Sequence, residues 1–274
     1  MLGPQLSDVE ATLFENSVIP RYLAYFGSLT AEMLLPCPKA QVAHIGCRTG
    51  YPDAVMLDKV PDGSFFGVDN SASAIELARG RAMRSTGMRA TYELGEAIPT
   101  ALPDATFTHA FAVHPLCDAE GRAQLLTELY RVLFPGGQAI LALPLRGSFP
   151  ELNDMIREFA LRQDLSDLAA SVDVAASSRP TIETVSEEFE NAGLTEVDVD
   201  VQLIAVAFNN GREFLEDPIA RLMVFPDLLA VLPMDEKVVT PCMRYIHDAI
   251  SKYWSEGVFE LTVNVGCASG RRLA

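Results

Sequence analysis

Residues 41–50 read Gln-Val-Ala-His-Ile-Gly-Cys-Arg-Thr-Gly, and the expected architecture follows from this stretch. Gln41–Ile45 has the apolar character of a short buried strand, and a turn carrying Gly46 and Gly50 follows at once. Glycines in the turn between a first strand and a first helix let backbone N–H groups approach a ligand closely. The stretch therefore predicts the opening of a parallel sheet, with a ligand site at its first turn.

Downstream of this turn, apolar runs alternate with amphipathic segments. The predicted strands cover residues 41–45, 64–69, 90–94, 108–113 and 138–143, and the predicted helices between them cover 51–59, 72–84 and 120–133. Such alternation is typical of βαβ units. Because these crossovers are right-handed, the sequence predicts an open, doubly wound α/β sheet. Pro135, Gly136 and Gly137 predict a sharp turn before the fifth strand.

The two flanks of this core have a different pattern. Residues 7–35 are predicted to be helical, with Ser7 as the cap and Pro20 dividing two short helices. After residue 145 the sequence predicts further helices and two alternating strands, at 196–208 and 259–267, which form an antiparallel edge. No flexible linker separates these parts. We therefore predict one domain over 1–274, composed of N-terminal helices (1–38), a core (39–145), and helical cap insertions with antiparallel edge strands (146–274).

Charge and cysteine usage restrict the classes of partner. The chain has 21 basic and 37 acidic residues, and the net charge of −16 disfavours nucleic acid and anionic membranes as partners. Five scattered cysteines without a Cys-x-x-Cys pair predict a reducing cytoplasm and no zinc site. The lone His44-x-x-Cys47 spacing lacks a second pair of ligands, so no metal is predicted. The first residues do not resemble a secretory signal.

Asp69 closes the second predicted strand, about 20 residues after the glycine turn. An acidic side chain at that place can accept hydrogen bonds from the hydroxyls of a ribose. The turn and the acid together predict a cofactor that contains a nucleoside.

Three further stretches of sequence carry a resemblance to a known protein family. They are Gly95-Glu96-Ala97, the segment Leu102–Phe107 (Leu-Pro-Asp-Ala-Thr-Phe), and Glu128–Gly137 (Glu-Leu-Tyr-Arg-Val-Leu-Phe-Pro-Gly-Gly). With them, residues 40–145 resemble the class I S-adenosylmethionine-dependent methyltransferases of the ubiquinone/menaquinone-biosynthesis-like group. Gly193-Leu194, Phe214-Leu215 with Pro218, and the final strand extend the resemblance. It implies a Rossmann-like, mostly parallel sheet of seven strands with an antiparallel last strand, and S-adenosylmethionine as the cofactor.

The resemblance also implies roles for individual residues. Gly46 and Gly50 would lie under the methionine part of the cofactor, Asp69 would hold the ribose, and Glu96 would face the adenine amine. The complete predicted cofactor set is His44, Gly46, Cys47, Arg48, Gly50, Asp69, Asn70, Gly95, Glu96 and Ala97. His114, after the fourth strand, is the predicted catalytic residue, and it would act as general base if the acceptor is a hydroxyl.

Three positions depart from the family pattern. His44 stands where the family has an acid that anchors the cofactor's amino end, Arg48 replaces the middle glycine, and Thr108 replaces a further acid. In one interpretation, Arg48 turns outward or pairs with the cofactor's carboxylate and the enzyme works. In a second, the site no longer accepts S-adenosylmethionine. In a third, Arg48 adapts the turn to a phosphorylated nucleotide.

The predicted function is S-adenosylmethionine-dependent methyl transfer to a small or medium organic molecule. The alternative is a catalytically inactive methyltransferase-like protein that acts as an interaction or regulatory module. The expected partner is a small-molecule substrate or a protein, and neither nucleic acid nor a membrane. The apolar residues between Pro226 and Met234 leave core, lid and homodimer contact open as alternatives.

Overall fold

The computed structural model describes residues 3–95, 98–232 and 236–274. Seven strands in these residues form one sheet in the order β3-β2-β1-β4-β5-β7-β6. The strands are β1 (Gln41–Ile45), β2 (Ser64–Asp69), β3 (Arg89–Leu94), β4 (Phe107–Val113), β5 (Leu133–Pro144), β6 (Leu194–Phe208) and β7 (Phe259–Arg272). Strands β1 to β5 are paired in parallel.

The last two strands reverse the chain direction. Arg272 donates to the carbonyl of Leu133 at the start of β5, whereas Asn264 accepts from Leu145, which directly follows β5. Strand β7 therefore runs antiparallel to β5. The predicted seven-stranded Rossmann-like sheet, mostly parallel with an antiparallel last strand, is confirmed.

Burial explains the strand patterns that the sequence carries. In β1 and β4 successive residues are buried, as expected for inner strands that are covered on both faces. In β6 buried and exposed positions alternate at the two ends of the strand, as expected for an edge strand with one wet face.

The helices follow the predicted segments closely, with one difference near the N-terminus. They are α1 (Asp8–Leu13), α2 (Ala24–Met33), α3 (Asp53–Met56), α4 (Ala72–Arg84), α5 (Ala119–Val132), α6 (Pro150–Arg162), α7 (Ser166–Ser178), α8 (Ile182–Asn191), α9 (Gly211–Glu216), α10 (Phe225–Val231) and α11 (Glu236–Tyr253). A π-helical segment, Phe14–Leu23, joins α1 to α2 and contains Pro20. The predicted break at Pro20 is therefore wrong. Proline lacks the N–H that an α-helix needs, and the wider π-helical register accommodates it.

The predicted turn at Pro135–Gly137 is also wrong, because these residues lie inside β5. Gly136 has a φ of +90°, and the register between β4 and β5 shifts between Phe107 and His109. The glycine thus permits a bulge within the strand instead of ending it.

The chain forms two compact units. The first comprises Met1–Leu143, Ile182–Val201 and Gly266–Ala274, and the second comprises Pro144–Thr181 and Gln202–Val265. In the second unit, the rings of Phe208, Phe214 and Phe259 form an aromatic core, with centroids 4.6 Å apart for Phe214 and Phe259. No helix in the described part of the chain is long and apolar enough to cross a membrane. The organisation as one domain stays a prediction.

Candidate functional site

Four predicted site residues directly follow four neighbouring parallel strands. Gly46 follows β1, Asn70 follows β2, Gly95 follows β3 and His114 follows β4. Because the carboxyl ends of parallel strands share one edge of a sheet, these residues line the edge where ligands bind in open α/β sheets.

The glycine turn after β1 leaves room for a ligand at Gly46. Its φ is +72°, its N–H donates to the carbonyl of Val68, and an added Cβ would meet no atom within 4 Å. Gly50, with a φ of +77°, is required for a different reason, since a Cβ there would lie 2.9 Å from the hydroxyl of Tyr92. Gly46 therefore faces open space, whereas Gly50 allows close packing.

Arg48 lies across Asp69. Its φ of +47° is in the left-handed region that glycine adopts without strain. Its backbone N–H donates to Asp69 Oδ2 at 3.0 Å, and its Nη1 lies 3.7 Å from Oδ1 of the same carboxylate. Nη1 also donates to the carbonyl of Pro4 at 2.7 Å. The arginine side chain therefore points neither outward to solvent nor away from the candidate ribose site.

Asp69, at the end of β2, is fully buried. Its Oδ1 accepts a hydrogen bond from the backbone N–H of Ser71 at 2.9 Å, so both carboxylate oxygens already have a backbone donor. The backbone carbonyl of Asp69 accepts from the N–H of Gly95 at 2.8 Å, which holds the end of β3 beside it. The nearby Cys47 thiol has a pKa well above its ordinary value because of its burial and because Asp69 and Asp53 are close. Cys47 is therefore a neutral, packed side chain.

Thr49 Oγ1 and Asn70 Oδ1 have no hydrogen-bond partner within residues 3–95, 98–232 and 236–274. Buried polar groups are almost always paired, so the orphaned oxygens in the turn after β1 and directly after β2 call for an explanation. A ligand with several donors, such as the hydroxyls, amine and ammonium of S-adenosylmethionine, fits this arrangement. Sequence reasoning missed Thr49, although the residue lies inside the turn.

His44 belongs to a buried network beneath the turn. Its Nδ1 lies 2.7 Å from Asp53 Oδ1, and the hydroxyl of Tyr92 donates to Asp53 Oδ2 at 2.7 Å. Its ring stacks on Phe111, with centroids 4.1 Å apart. Burial, followed by the neighbouring Asp53, raises the pKa of Tyr92, which keeps its hydroxyl as a donor. Because a carboxylate only accepts, Nδ1 of His44 carries the proton that it donates to Asp53.

This network supplies a carboxylate close to the position where the resembling family has one. Asp53 is fully buried at the start of α3, nine residues after His44. The sequence analysis did not single out Asp53. The only sequence feature that pointed to Asp53 was its position as an acid in the first turn of a predicted helix.

His114 lies at the end of β4 with a φ of +48°, and its N–H donates to the carbonyl of Ala142. Its Nε2 is 2.8 Å from the hydroxyl of Tyr22, and its ring centroid is 4.8 Å from that of Phe26. Tyr22 comes from the π-helical segment and is fully buried. The sequence analysis did not single out Tyr22, which lies in the predicted N-terminal helices, so this partner was missed.

Three residues named in the sequence analysis are not among the site residues described above. Glu96 and Ala97 lie outside the described residues. Thr108 lies near the start of β4, where its hydroxyl bonds to the backbone of Gln41 at the start of β1. That is the opposite end of the strands from the glycine turn. The prediction that Thr108 belongs to the cofactor site is therefore wrong, because the register places it one strand length away.

No group of three or more His, Cys, Asp or Glu side chains in the described residues could hold a metal ion.

Comparison with known proteins agrees with this architecture. A family model described as a methyltransferase domain matches residues 42–137. The trans-aconitate 2-methyltransferase of Acidovorax sp. (strain JS42) is 27% identical over 162 residues, which are 59% of this chain and 58% of that protein. The demethylmenaquinone methyltransferase of Symbiobacterium thermophilum is 34% identical over 107 residues, which are 38% of this chain and 42% of that protein.

Solved structures share the fold. Phosphoethanolamine N-methyltransferase 2 of Haemonchus contortus, in complex with S-adenosyl-L-methionine, matches 98% of this chain and 58% of its own, with a TM-score of 0.57 and 13% identity. The chain spans 58% of the length of the trans-aconitate methyltransferase that it matches. The matched domain contains the glycine turn, Asp69 and His114, and the strand order is that of the expected sheet. Residues 42–137 thus match a methyltransferase domain, and the chain shares its fold with an S-adenosyl-L-methionine-bound methyltransferase.

Proposed function

We propose that this protein binds S-adenosylmethionine at the edge formed by Gly46, Asn70, Gly95 and His114 and transfers its methyl group to a small or medium organic molecule. One observation carries the proposal. The methyltransferase domain matched over residues 42–137 contains an open glycine turn beside a buried acid, Asp69.

The chain's own residues have distinct binding roles in this proposal. Asp69 accepts the ribose hydroxyls, and Asn70 Oδ1, an orphaned acceptor among the described residues, takes a further donor of the nucleoside. His44 Nε2, oriented by Asp53, accepts from the ammonium of the methionine part. Glu96 keeps the contact with the adenine amine that the family resemblance implies for it, and Ala97 stays in the predicted cofactor set. The cofactor supplies a methyl group bonded to a sulfonium leaving group.

The Tyr22–His114 pair handles the acceptor's proton. Methyl transfer is a direct displacement, in which the protein chiefly supplies proximity and orientation. When the acceptor is a hydroxyl, Tyr22 Oη takes its proton and passes its own proton to His114 Nε2, 2.8 Å away. An acceptor that is already an anion needs no base. The presence of the pair therefore favours a hydroxyl acceptor.

The same proposal extends to location and partners. The scattered cysteines support a cytoplasmic protein, and the net charge of −16 supports a small molecule or another protein as partner rather than nucleic acid.

Calorimetric titration with S-adenosylmethionine and S-adenosylhomocysteine tests cofactor binding. We expect wild type to bind, and Asp69→Asn to bind at least about tenfold more weakly, because charge-assisted hydrogen bonds are lost. Absence of binding to folded wild type at millimolar ligand would refute the proposal.

Transfer of a labelled methyl group to a panel of hydroxyl, carboxyl and amine compounds tests the reaction. For the hydroxyl acceptors, we expect His114→Gln to lower transfer by about a hundredfold while cofactor affinity changes little. If wild type binds the cofactor but His114→Gln transfers at the same rate, the role of His114 is wrong. Binding without transfer to any acceptor would favour the inactive alternative.

A further inference from the structure

Residues 3–6, here called the N-terminal strap, lie across the candidate ribose site. Arg48 Nη1 donates to the carbonyl of Pro4 at 2.7 Å, and Asn70 Nδ2 donates to the carbonyl of Gly3 at 2.6 Å. Both donors belong to side chains of the predicted cofactor set. The strap is therefore tied directly to the site.

A second pair of hydrogen bonds fixes the other end of the strap. The backbone N–H of Leu6 donates to Ser71 Oγ at 3.2 Å, and Ser71 Oγ donates to the carbonyl of Leu6 at 2.9 Å. Ser71 also caps α4 and donates its N–H to Asp69. The strap thus follows the short segment from Asp69 to Ser71 along its length.

This arrangement closes off Asp69. The carboxylate has no exposed surface, each oxygen already accepts from a backbone N–H, and the Arg48 guanidinium is the charged group beside Oδ1. A ribose can reach these oxygens only if Arg48 moves. Since Arg48 is bonded to the strap through Pro4, its movement releases one of the ties that hold the strap.

We propose that the N-terminal strap and Arg48 form an autoinhibitory closure of the cofactor site, which opens when the ribose replaces the Arg48 guanidinium on Asp69. This inference rests on the proposed function, because it assigns the regulation of the same site. Closure lowers the apparent affinity for the cofactor by the fraction of molecules that are open. It also gives Arg48, at a position that glycine normally occupies in the family, a task that glycine cannot perform.

Gly3→Ala is a test that replaces none of the side chains proposed to contact the cofactor. Its φ is +87°, and a Cβ built on it would clash with Arg48 Nη2. Gly3→Ala therefore disturbs the strap through backbone strain, and its Cβ displaces the flexible end of Arg48. Gly87→Ala is the matched control, since Gly87 has a φ of +79° and an added Cβ would meet no atom within 4 Å.

The experiment is a calorimetric titration of wild type, Gly3→Ala and Gly87→Ala with S-adenosylhomocysteine. It is combined with hydrogen exchange of the Leu6 amide in the free and the saturated wild-type protein. We expect Gly3→Ala to bind about tenfold more tightly than wild type, as removal of a mostly closed state predicts. Gly87→Ala should bind as wild type does. The Leu6 amide should exchange faster in the saturated protein, because its bond to Ser71 opens.

Two results would overturn the inference while the proposed function stands. One is equal or weaker binding by Gly3→Ala, and the other is slower exchange of the Leu6 amide on saturation, which would make the strap a lid over bound cofactor. Binding by Gly3→Ala but not by wild type would support closure in its strongest form. If neither protein binds, cofactor binding itself fails, and the inference fails with it.

Discussion

His109 should make the stability of this protein fall between pH 7 and pH 5. The side chain lies in the middle of β4, is 3% exposed, and has its Nε2 3.0 Å from the carbonyl of Leu35. Burial lowers its pKa from 6.5 to about 4, although the hydrogen bond to Leu35 acts in the opposite direction. The folded protein therefore holds a neutral imidazole at a pH where an unfolded chain holds a charged one.

The sign and the size follow from this difference. Below pH 6.5 the unfolded chain takes up a proton at His109 that the folded protein does not, so stability is lost as pH falls and the loss is complete near pH 4. At about 1.4 kcal/mol for each pKa unit, the whole loss is about 3 kcal/mol. Of this, about 2 kcal/mol falls between pH 7 and pH 5.

Urea denaturation of wild type and His109→Gln at pH 7, 6 and 5 measures this loss. Glutamine keeps a donor for the carbonyl of Leu35 but does not titrate. The other ionisable groups contribute equally to both proteins, so the wild-type advantage should shrink by about 2 kcal/mol from pH 7 to pH 5. Parallel stability curves for the two proteins would refute the reasoning.

Two further predictions concern buried groups. Burial raises the pKa of Glu128, but hydrogen bonds from Arg131 and Thr100 outweigh it and lower the pKa overall. Glu128→Gln should therefore cost about 2 kcal/mol in urea denaturation, while Glu120→Gln, at an exposed site on the same helix, changes stability by less than about 0.5 kcal/mol. Equal effects of the two changes would contradict the role of the buried carboxylate. The raised pKa of the buried Cys47 thiol predicts that this residue reacts with a thiol reagent at pH 8 at least about a hundredfold more slowly than the half-buried Cys37. Mass spectrometry of the labelled native protein measures both rates, and comparable rates would disprove it.

The sheet was predicted well because a local sequence pattern marks each of its strands. The strand at Gln41–Ile45 and the strand ending at Asp69 were predicted with their exact bounds, since each is a short apolar run bounded by a turn. The predictions failed where tertiary packing overrides a local preference. Pro20 lies inside a continuous helix, and Pro135–Gly137 lies inside a strand.

The candidate site was predictable only in part. Gly46 and Asp69 were predicted because each lies at the end of a strand, where the sequence motif has a glycine and an acid. The pairing of Tyr22 with His114 joins residues 92 positions apart, and no local pattern connects them. Asp53 was missed because its contact with His44 forms only when the turn between the two residues is folded. The N-terminal strap carries no motif, since it binds chiefly through backbone groups.

The position of β7 in the sheet has a consequence for synthesis of the protein. β7 is the last of the described strands in the sequence, yet it lies between β5 and β6. A nascent chain that has not reached Phe259 has both neighbours but not the strand that joins them, so their unpaired backbone edges face solvent. The sheet therefore closes only after Phe259–Arg272 has been synthesised. A chain truncated before β7 should retain the glycine turn but be prone to aggregate through these edges.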